Sequence, residues 1–278
     1  MNYPIAMIPY ANMAPYAALG PPEGCYFVDC MPRNSIQALQ SGAVWAAAVP
    51  VGGLEALHGV VTPLGLFGIA AFQEVMSVLF FSDRPLDSFQ PAMTVRLTQE
   101  SASSVRLCHL LMSYRLGIDR MPALAAPGAP ANGEVVIGDT ALQWLHEWEG
   151  RGRVKSYAHV TDLAALWYQQ HQLPFVFARW VVRSDAPERV RSHLSDWLDV
   201  FADQEPALIE RSVPRVATHL NLPHAYVRRY LKVIRRCLTP LDEAGQARFH
   251  EEWRAQAARS AWFADEPTLS AHRTHCHG

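Results

Sequence analysis

The sequence predicts an α/β protein of two lobes, one inserted into the other, with a ligand cleft between them. Three observations carry that expectation. Strand-like runs alternate with helical patterns as far as residue 182. Two strand-turn-helix units, 95–111 and 135–148, lie between two long apolar runs, 75–81 and 175–182. From Pro187 onward every stretch reads as helix. Alternation of this kind builds a parallel or mixed sheet. The apolar runs would be the points where the chain crosses between lobes. That gives a first lobe of 1–87 plus 176–278 and an inserted lobe of 88–175. Ligands of such folds sit between the lobes, at the carboxyl ends of strands.

Each element has a local reason. Residues 3–8 form a first apolar strand, ended by the loop Pro9-Tyr10-Ala11-Asn12-Met13-Ala14-Pro15. Asn34 or Ser35 can cap a short helix that Gly42 stops. Residues 45–49 read as a buried strand. The strand at 95–97 runs into a Ser-rich turn and then a helix with Val105, Cys108, Leu111 and Met112 on one face. Residues 122–133, rich in Ala, Pro and Gly, read as a loop before a strand at 135–137. Gly138-Asp139 then opens a helix with Leu142, Leu145 and Trp148 along one side. Thr161 or Asp162 caps another, carrying Leu163, Leu166 and Trp167. Two apolar stripes mark the C-terminal helices: Val190, Leu194, Trp197, Leu198 and Phe201, then Val227, Leu231, Ile234 and Leu238. The polar tail after Pro267 is expected to fray.

Composition excludes several functions. Half of the 278 residues are hydrophobic, 18% are charged, and the formal net charge is −2. A protein that coats nucleic acid or an anionic membrane carries a basic excess, so neither partner is expected. The five cysteines contain no CxxC pair, and Cys108 and Cys237 fall on apolar helical faces, which points to reduced thiols and a reducing compartment. No signal-peptide pattern opens the chain. The most apolar stretch, 44–61, is broken by Pro50, Gly52-Gly53, Glu55 and His58. A cytoplasmic location is therefore expected.

The residues that carry chemistry are few. Ser101, Ser103 and Ser104 stand between a strand and a helix. Free N–H groups, helix dipole and hydroxyls there suit a carboxylate or phosphate, and they equally suit plain N-capping. Asp139 has the same two readings, cap or ligand contact. Asn12 follows the first strand, where its amide can donate and accept at once, or close an Asx turn. Gly52, Gly53, Gly59, Gly65 and Gly68 lack phosphate-loop spacing. His272, His275, Cys276 and His277 are potential metal ligands with nothing to orient them, so no metal site is expected. Residues 216–236 mimic a helix-turn-helix with Arg228, Arg229, Lys232, Arg235 and Arg236, and read better as a solvated basic face.

Six segments in order resemble the chorismate dehydratase family of the futalosine route to menaquinone. Pro9-Tyr10-Ala11-Asn12-Met13-Ala14-Pro15 is similar to its Ser-Tyr-Leu-Asn-Thr-x-Pro loop. Ser41-Gly42 through Val49-Pro50 resembles its Ser-Gly-Glu-Leu-Asp-x-Ala-x-x-Pro segment, and Ser77-Val78-Leu79-Phe80-Phe81-Ser82 its Ser-Val-Leu-Leu-Phe-Ser strand. Ser101-Ala102-Ser103-Ser104 falls at its Ser-Arg-Thr-Ser, and Ile137-Gly138-Asp139-Thr140-Ala141-Leu142 at its Ile-Gly-Asp-x-Ala-Leu. Asp162-Leu163, Trp167 and the run 173–180 complete the series.

The resemblance implies a type 2 periplasmic-binding-protein-like fold and loss of water from chorismate, without a cofactor. It implies Asn12 and Ser77 as catalytic residues. Tyr10, Met13, Pro50, Ser101, Ser103, Ser104, Gly138 and Asp139 would bind the small anionic substrate. The sibling enzyme that forms 1,4-dihydroxy-6-naphthoate has an Asn-Asp-rich first loop that is absent here. A relative that binds a small carboxylate without turning it over is the second reading. The departures are Pro9, Met13, Trp45, Met76 and Ala102. Two of them replace arginines, so Arg106 or Arg179 would have to supply positive charge.

Overall fold

The computed structural model describes residues 2–256 and Trp262. Six strands form the first sheet: β1 (Tyr3–Met7), β2 (Cys25–Asp29), β3 (Ala46–Pro50), β4 (Val61–Ala71), β10 (Phe175–Arg183) and β11 (Ile234–Cys237), in the order β11-β4-β10-β3-β1-β2. Five form the second: β5 (Val78–Ser82), β6 (Thr94–Arg96), β7 (Ala123–Leu124), β8 (Gly133–Ile137) and β9 (His159–Asp162), in the order β7-β6-β8-β5-β9. In the first sheet β1 lies parallel to β2 and β3, while β10 runs antiparallel to both β3 and β4. The two sheets are the centres of two lobes.

Helices α1 (Ala14–Leu19), α2 (Asn34–Gln40), α6 (Glu188–Leu220) and α7 (His224–Val233) accompany the first sheet. Helices α3 (Ala102–Leu116), α4 (Gly138–Arg151) and α5 (Leu163–His171) belong to the second, and α8 (Pro240–Gln256) packs on both α3 and β10. The stripes read from the sequence are buried: Val190, Leu194, Trp197, Leu198 and Phe201 on α6, and Leu163, Leu166 and Trp167 on α5. Tyr16 of α1 stacks on Phe201 at 3.9 Å between ring centroids and meets Trp180 edge-on at 5.5 Å. Aromatic pairs of this geometry contribute about 0.5–1.5 kcal/mol each beyond the area they bury.

The structure corrects several expectations. The boundary at 87/88 falls too late, because Val78–Ser82 pairs with β8 and β9 and is a strand of the second sheet. The chain therefore leaves the first sheet over residues 72–77 and returns over 172–174. The C-terminal part is not all helix. Helix α7 stops at Val233, and Ile234–Cys237 pairs with the open edge of β4. Ile234 and Leu238 do bury, but from a strand and the turn after it. Cys237 accordingly sits half-buried on that strand rather than on a helical face. Strand β4 was hidden by its own Pro63, Gly65 and Gly68. At Gly68 a Cβ atom would stand 2.3 Å from the Ala178 carbonyl oxygen, so close pairing with β10 requires glycine. Two edge strands, β2 and β7, and the four-residue β9 carry too little periodicity to be read. Helix α2 begins after Arg33 with no side-chain cap, and Ser35 instead donates its hydroxyl to the Pro32 carbonyl. The His-rich tail lies outside the described residues.

Burial also sets a pH dependence. His109 on α3 is wholly buried against Trp253 and Trp262, and burial pushes its pKa down to about 4. An unfolded histidine titrates near 6.5, so between those values the unfolded chain holds a proton that the folded chain refuses. The sign follows: stability is full above about pH 6.5 and falls as the pH drops towards 4. His109 contributes up to about 3 kcal/mol of that loss. Urea midpoints at pH 7.5 and 4.5 measure it, and His109→Gln is expected to flatten the difference. His171, also pushed down to about 4 by burial, leaves a residual slope.

Candidate functional site

Strand β1 ends at Met7, and its chain turns through a single 3-10 turn, Ala11–Met13, before α1. Parallel β3 ends beside it at Pro50. From the other lobe, β6 leads to the start of α3, and β8 ends directly in α4. These carboxyl ends converge on a cavity of about 50 Å³. Tyr10, Asn12, Pro50, Ser77, Ser101, Ser104 and Gly138 line it, as the sequence reading grouped them. Ile8, Ile69, Val75, Val78, Ile137 and Phe177 supply an apolar wall. Val78, Ile137 and Phe177 lie within the quoted motifs, but the sequence reading does not assign them to the site.

Three residues from the sequence reading stand elsewhere. Met13 is buried in the core beneath the turn. Ser103 is engaged by protein, since its hydroxyl accepts the Gly52 N–H at 2.9 Å and donates to the Phe177 carbonyl at 3.0 Å. Asp139 is no cap. Ile137 holds the cap position of α4, and the Asp139 carboxylate accepts the Ala11 N–H at 2.8 Å, from the opposite lobe. Asp139 lines a separate surface cavity with Asp29, Arg215 and His219. Burial pushes its carboxyl up, while the Ala11 N–H and His219 pull it back.

Further bonds draw the lobes together. The Tyr10 hydroxyl donates to Glu100, and the Arg33 N–H donates to the Glu100 carbonyl at 3.0 Å. Burial and the Glu100 carboxylate push the Tyr10 phenol far up, so it stays protonated. Gly138 has φ +63, and a Cβ there would lie 3.0 Å from the Tyr10 ring; glycine lets the ring rest on the start of α4. The cap of α3 is real: Ser101 Oγ accepts the Ser104 N–H at 3.3 Å and the Ser104 hydroxyl at 3.0 Å.

Ser77 is placed by an unusual turn. Met76 is a non-glycine residue at φ +61, a strained conformation. Asp162 holds it there, accepting N–H bonds from Val75 at 2.9 Å and Met76 at 2.8 Å, as well as from Ala164 and Ala165 in α5. Burial raises the Asp162 carboxyl pKa and the four N–H groups oppose that rise. The Ser77 carbonyl accepts the Gly138 N–H at 2.8 Å, and Tyr230 of α7 packs its hydroxyl beside the Ser77 side chain.

Among the described residues, none that lines the cavity carries a formal charge. Arg106 donates to the Gly52 carbonyl and lies over the Trp253 ring at 4.7 Å. Arg179 turns to the Gly65 carbonyl at 2.9 Å, away from the site. Neither arginine takes the place of those missing at 76 and 102. Among the described residues no group of three His, Cys, Asp or Glu side chains is arranged to hold a metal ion. The basic residues at 228–232 are also engaged: Arg228 and Lys232 pair with Glu210, and Arg229 with Glu74 and Glu149.

The sequence profile of the menaquinone biosynthesis family matches residues 3–255. The chain belongs to that family. A chorismate dehydratase of Thermus thermophilus is 29% identical over 204 residues, 66% of this chain and 71% of that one. Solved structures share the fold at low identity. The Candida albicans CA3427 gene product, described as having the generic periplasmic binding protein fold, has a TM-score of 0.67 at 11% identity over 93% of this chain and 90% of that one. The aliphatic sulphonate binding protein SsuA of Escherichia coli has a TM-score of 0.62 at 11% identity over 92% of each chain. This member of the menaquinone biosynthesis family is thus a two-lobed, periplasmic-binding-protein-like α/β protein with a cavity between its lobes. Among its described residues no helix is long and apolar enough to cross a membrane.

The two lobes meet at a close backbone approach at Gly52. A Cβ atom there would stand 2.9 Å from the Ser103 nitrogen and 3.0 Å from the Ala102 carbonyl carbon, both backbone atoms of the α3 first turn. Gly52→Ala is expected to destabilise the closed form by about 1–3 kcal/mol, the usual cost of overpacking. Small-angle X-ray scattering would read this as a larger radius of gyration with an unchanged circular dichroism spectrum. An unchanged radius would mean that closure does not depend on this contact.

Proposed function

We propose that the protein is a chorismate dehydratase, converting chorismate to 3-[(1-carboxyvinyl)oxy]benzoate in menaquinone biosynthesis. The observation that carries the reading is the Asn12 amide. It faces the cavity that Ser77, Ser101 and Ser104 also line, and its Oδ1 is buried with no hydrogen bond. An asparagine amide donates through Nδ2 and accepts through Oδ1, which suits a hydroxyl that is leaving.

In the reaction, the ring carbon bearing the enolpyruvyl ether loses its proton. Its neighbour loses the hydroxyl, and the new double bond completes an aromatic ring. The products are one aromatic dicarboxylate and water. Hydroxide leaves poorly, so Asn12 would donate to the departing oxygen as charge develops on it. Ser77, Ser101 and Ser104 would hold carboxylate oxygens, helped by the start of α3. Tyr10 and Pro50 would hold the ring, with Gly138 allowing Tyr10 its place. Asp139 would act at one remove, fixing the Asn12 turn through Ala11. Among the described residues that line the cavity no side chain is a strong general base, which agrees with a substrate carboxylate taking the proton. The free thiols of Cys25, Cys30, Cys108 and Cys237 are in keeping with work in the reducing cytoplasm.

One observation favours a second reading, a carboxylate-binding protein that performs no elimination. The cavity offers no ionised side chain to offset two negative charges. Turnover separates the readings. Purified protein is expected to consume chorismate and release the carboxyvinyloxy-benzoate, detected by mass spectrometry. Asn12→Ala and Asn12→Asp should each lower kcat by about 100-fold at saturating substrate, equivalent to roughly 3 kcal/mol. Near-full turnover by Asn12→Ala would remove Asn12 from the chemistry. Binding without turnover by the parent protein would leave the binding reading standing.

A further inference from the structure

We propose that Arg236 is the positioning residue of this site, its buried guanidinium holding the Asn12 turn in place against Ser77. The proposal rests on the reading of the cleft as the reacting site and deepens it.

Arg236 follows directly from the strand that the sequence hides. The run Arg228, Arg229, Lys232, Arg235 and Arg236 looks like one basic face only if the helix continues. It ends at Val233, and in Ile234–Cys237 alternate residues turn to opposite sides. Arg235 stays near the surface with Asp242 at 2.9 Å, whereas Arg236 points inward and is 0% exposed.

A buried guanidinium needs donors matched to acceptors, and this one is used on two sides. Nη1 donates to Glu205 of α6 at 3.0 Å and to the carbonyls of Leu231 and Ile234 at 3.1 and 3.2 Å. These bonds brace α6, α7 and β11. Nε points the other way and donates to the Asn12 carbonyl at 2.9 Å. That bond crosses to the cavity-lining turn, which contains no side-chain cap of its own. With the Ala11 N–H fixed by Asp139 and the Asn12 carbonyl fixed by Arg236, the turn is held from both ends.

Tyr230 joins the guanidinium to the other reacting residue. Its hydroxyl is fully buried, forms no hydrogen bond of ordinary geometry, and stands within electrostatic reach of Ser77, Arg236 and Asp139. Arg236 Nη2 and Asn12 Oδ1 are likewise buried without partners.

The test is a double-mutant cycle of Arg236→Gln and Asn12→Ala, with folding checked by urea unfolding and kinetics measured on chorismate. A positioning role predicts that Arg236→Gln lowers kcat by about 30-fold or more with KM within about threefold. It also predicts that the double variant is no more than about threefold slower than Asn12→Ala alone. A multiplicative loss in the double variant, or a loss confined to KM, would overturn the proposal. If Arg236→Gln fails to fold, Arg236→Lys takes its place in the cycle with the same criteria. Should the parent protein not turn over chorismate, the reaction reading fails by itself. The Arg236 claim is then decided by crystal structures of the parent and of the Lys or Gln variant. Displacement of the Asn12 turn by about 1 Å or more within an otherwise unchanged first sheet supports it, and an unmoved turn overturns it.

Discussion

The Asp162 carboxylate is the constraint on which the cleft depends. It accepts four backbone N–H bonds, two from the start of α5 and two from the crossing segment at Val75 and Met76. A carboxylate buried to this degree is costly unless such donors surround it, and here they are all main chain. The bonds to α5 make Asp162 an ordinary helix cap. The other pair makes it a clamp on the place where the chain leaves the first sheet for the second. Met76 can hold a left-handed conformation because its N–H is fixed. Ser77, the next residue, is thereby delivered to the cavity and to the Gly138 N–H through its carbonyl. One cap residue thus ties the second lobe, the crossing and the candidate site together.

The electrostatic character of the cleft follows from what surrounds it. Its lining is apolar apart from Tyr10, Asn12 and three serines, and none of these is ionised. Asp139 and Glu100 stand at the edges and are occupied with bonds between the lobes. An anion entering such a space would meet N–H and O–H dipoles rather than a cation. Dipoles act over short distances, so they depend on a dry, closed cavity and on exact placement more than an arginine pair would. That places unusual weight on closure, and the structure supplies contacts for it: Tyr10 with Glu100, Ala11 with Asp139, and Gly52 against the α3 first turn.

Much of this was legible in the sequence, and the failures have physical causes. Alternating strands and helices revealed the two-lobed class. The serine cluster and Asn12 were found because strand-to-turn junctions concentrate polar side chains. Motif order then singled out Ser77 as a candidate, which local pattern alone would leave inside an apolar strand, and Ser77 lines the cavity. Position along the chain did not reveal direction of use. Ser103 and Asp139 belong to the same motifs as Ser101 and Gly138, yet both are satisfied by protein partners across the cleft. Met13 neighbours Asn12 but points into the core, because a 3-10 turn sends successive side chains about 120° apart. Strand β11 was missed because Val227, Leu231, Ile234 and Leu238 fit a helical stripe. The unpaired edge of β4 outweighs that local preference.

The hidden strand matters most for function, because it decides where a charge goes. In a continued helix, Arg236 would share a face with Lys232 and face solvent with it. In the strand it opposes Arg235 and turns into the first lobe, behind the turn that carries Asn12. The same four residues therefore complete a sheet edge and introduce a guanidinium at the back of the cleft. Glu205 of α6 neutralises part of its charge at 3.0 Å. The positive charge that the cavity lining lacks is thus placed one layer deeper, against the Asn12 carbonyl.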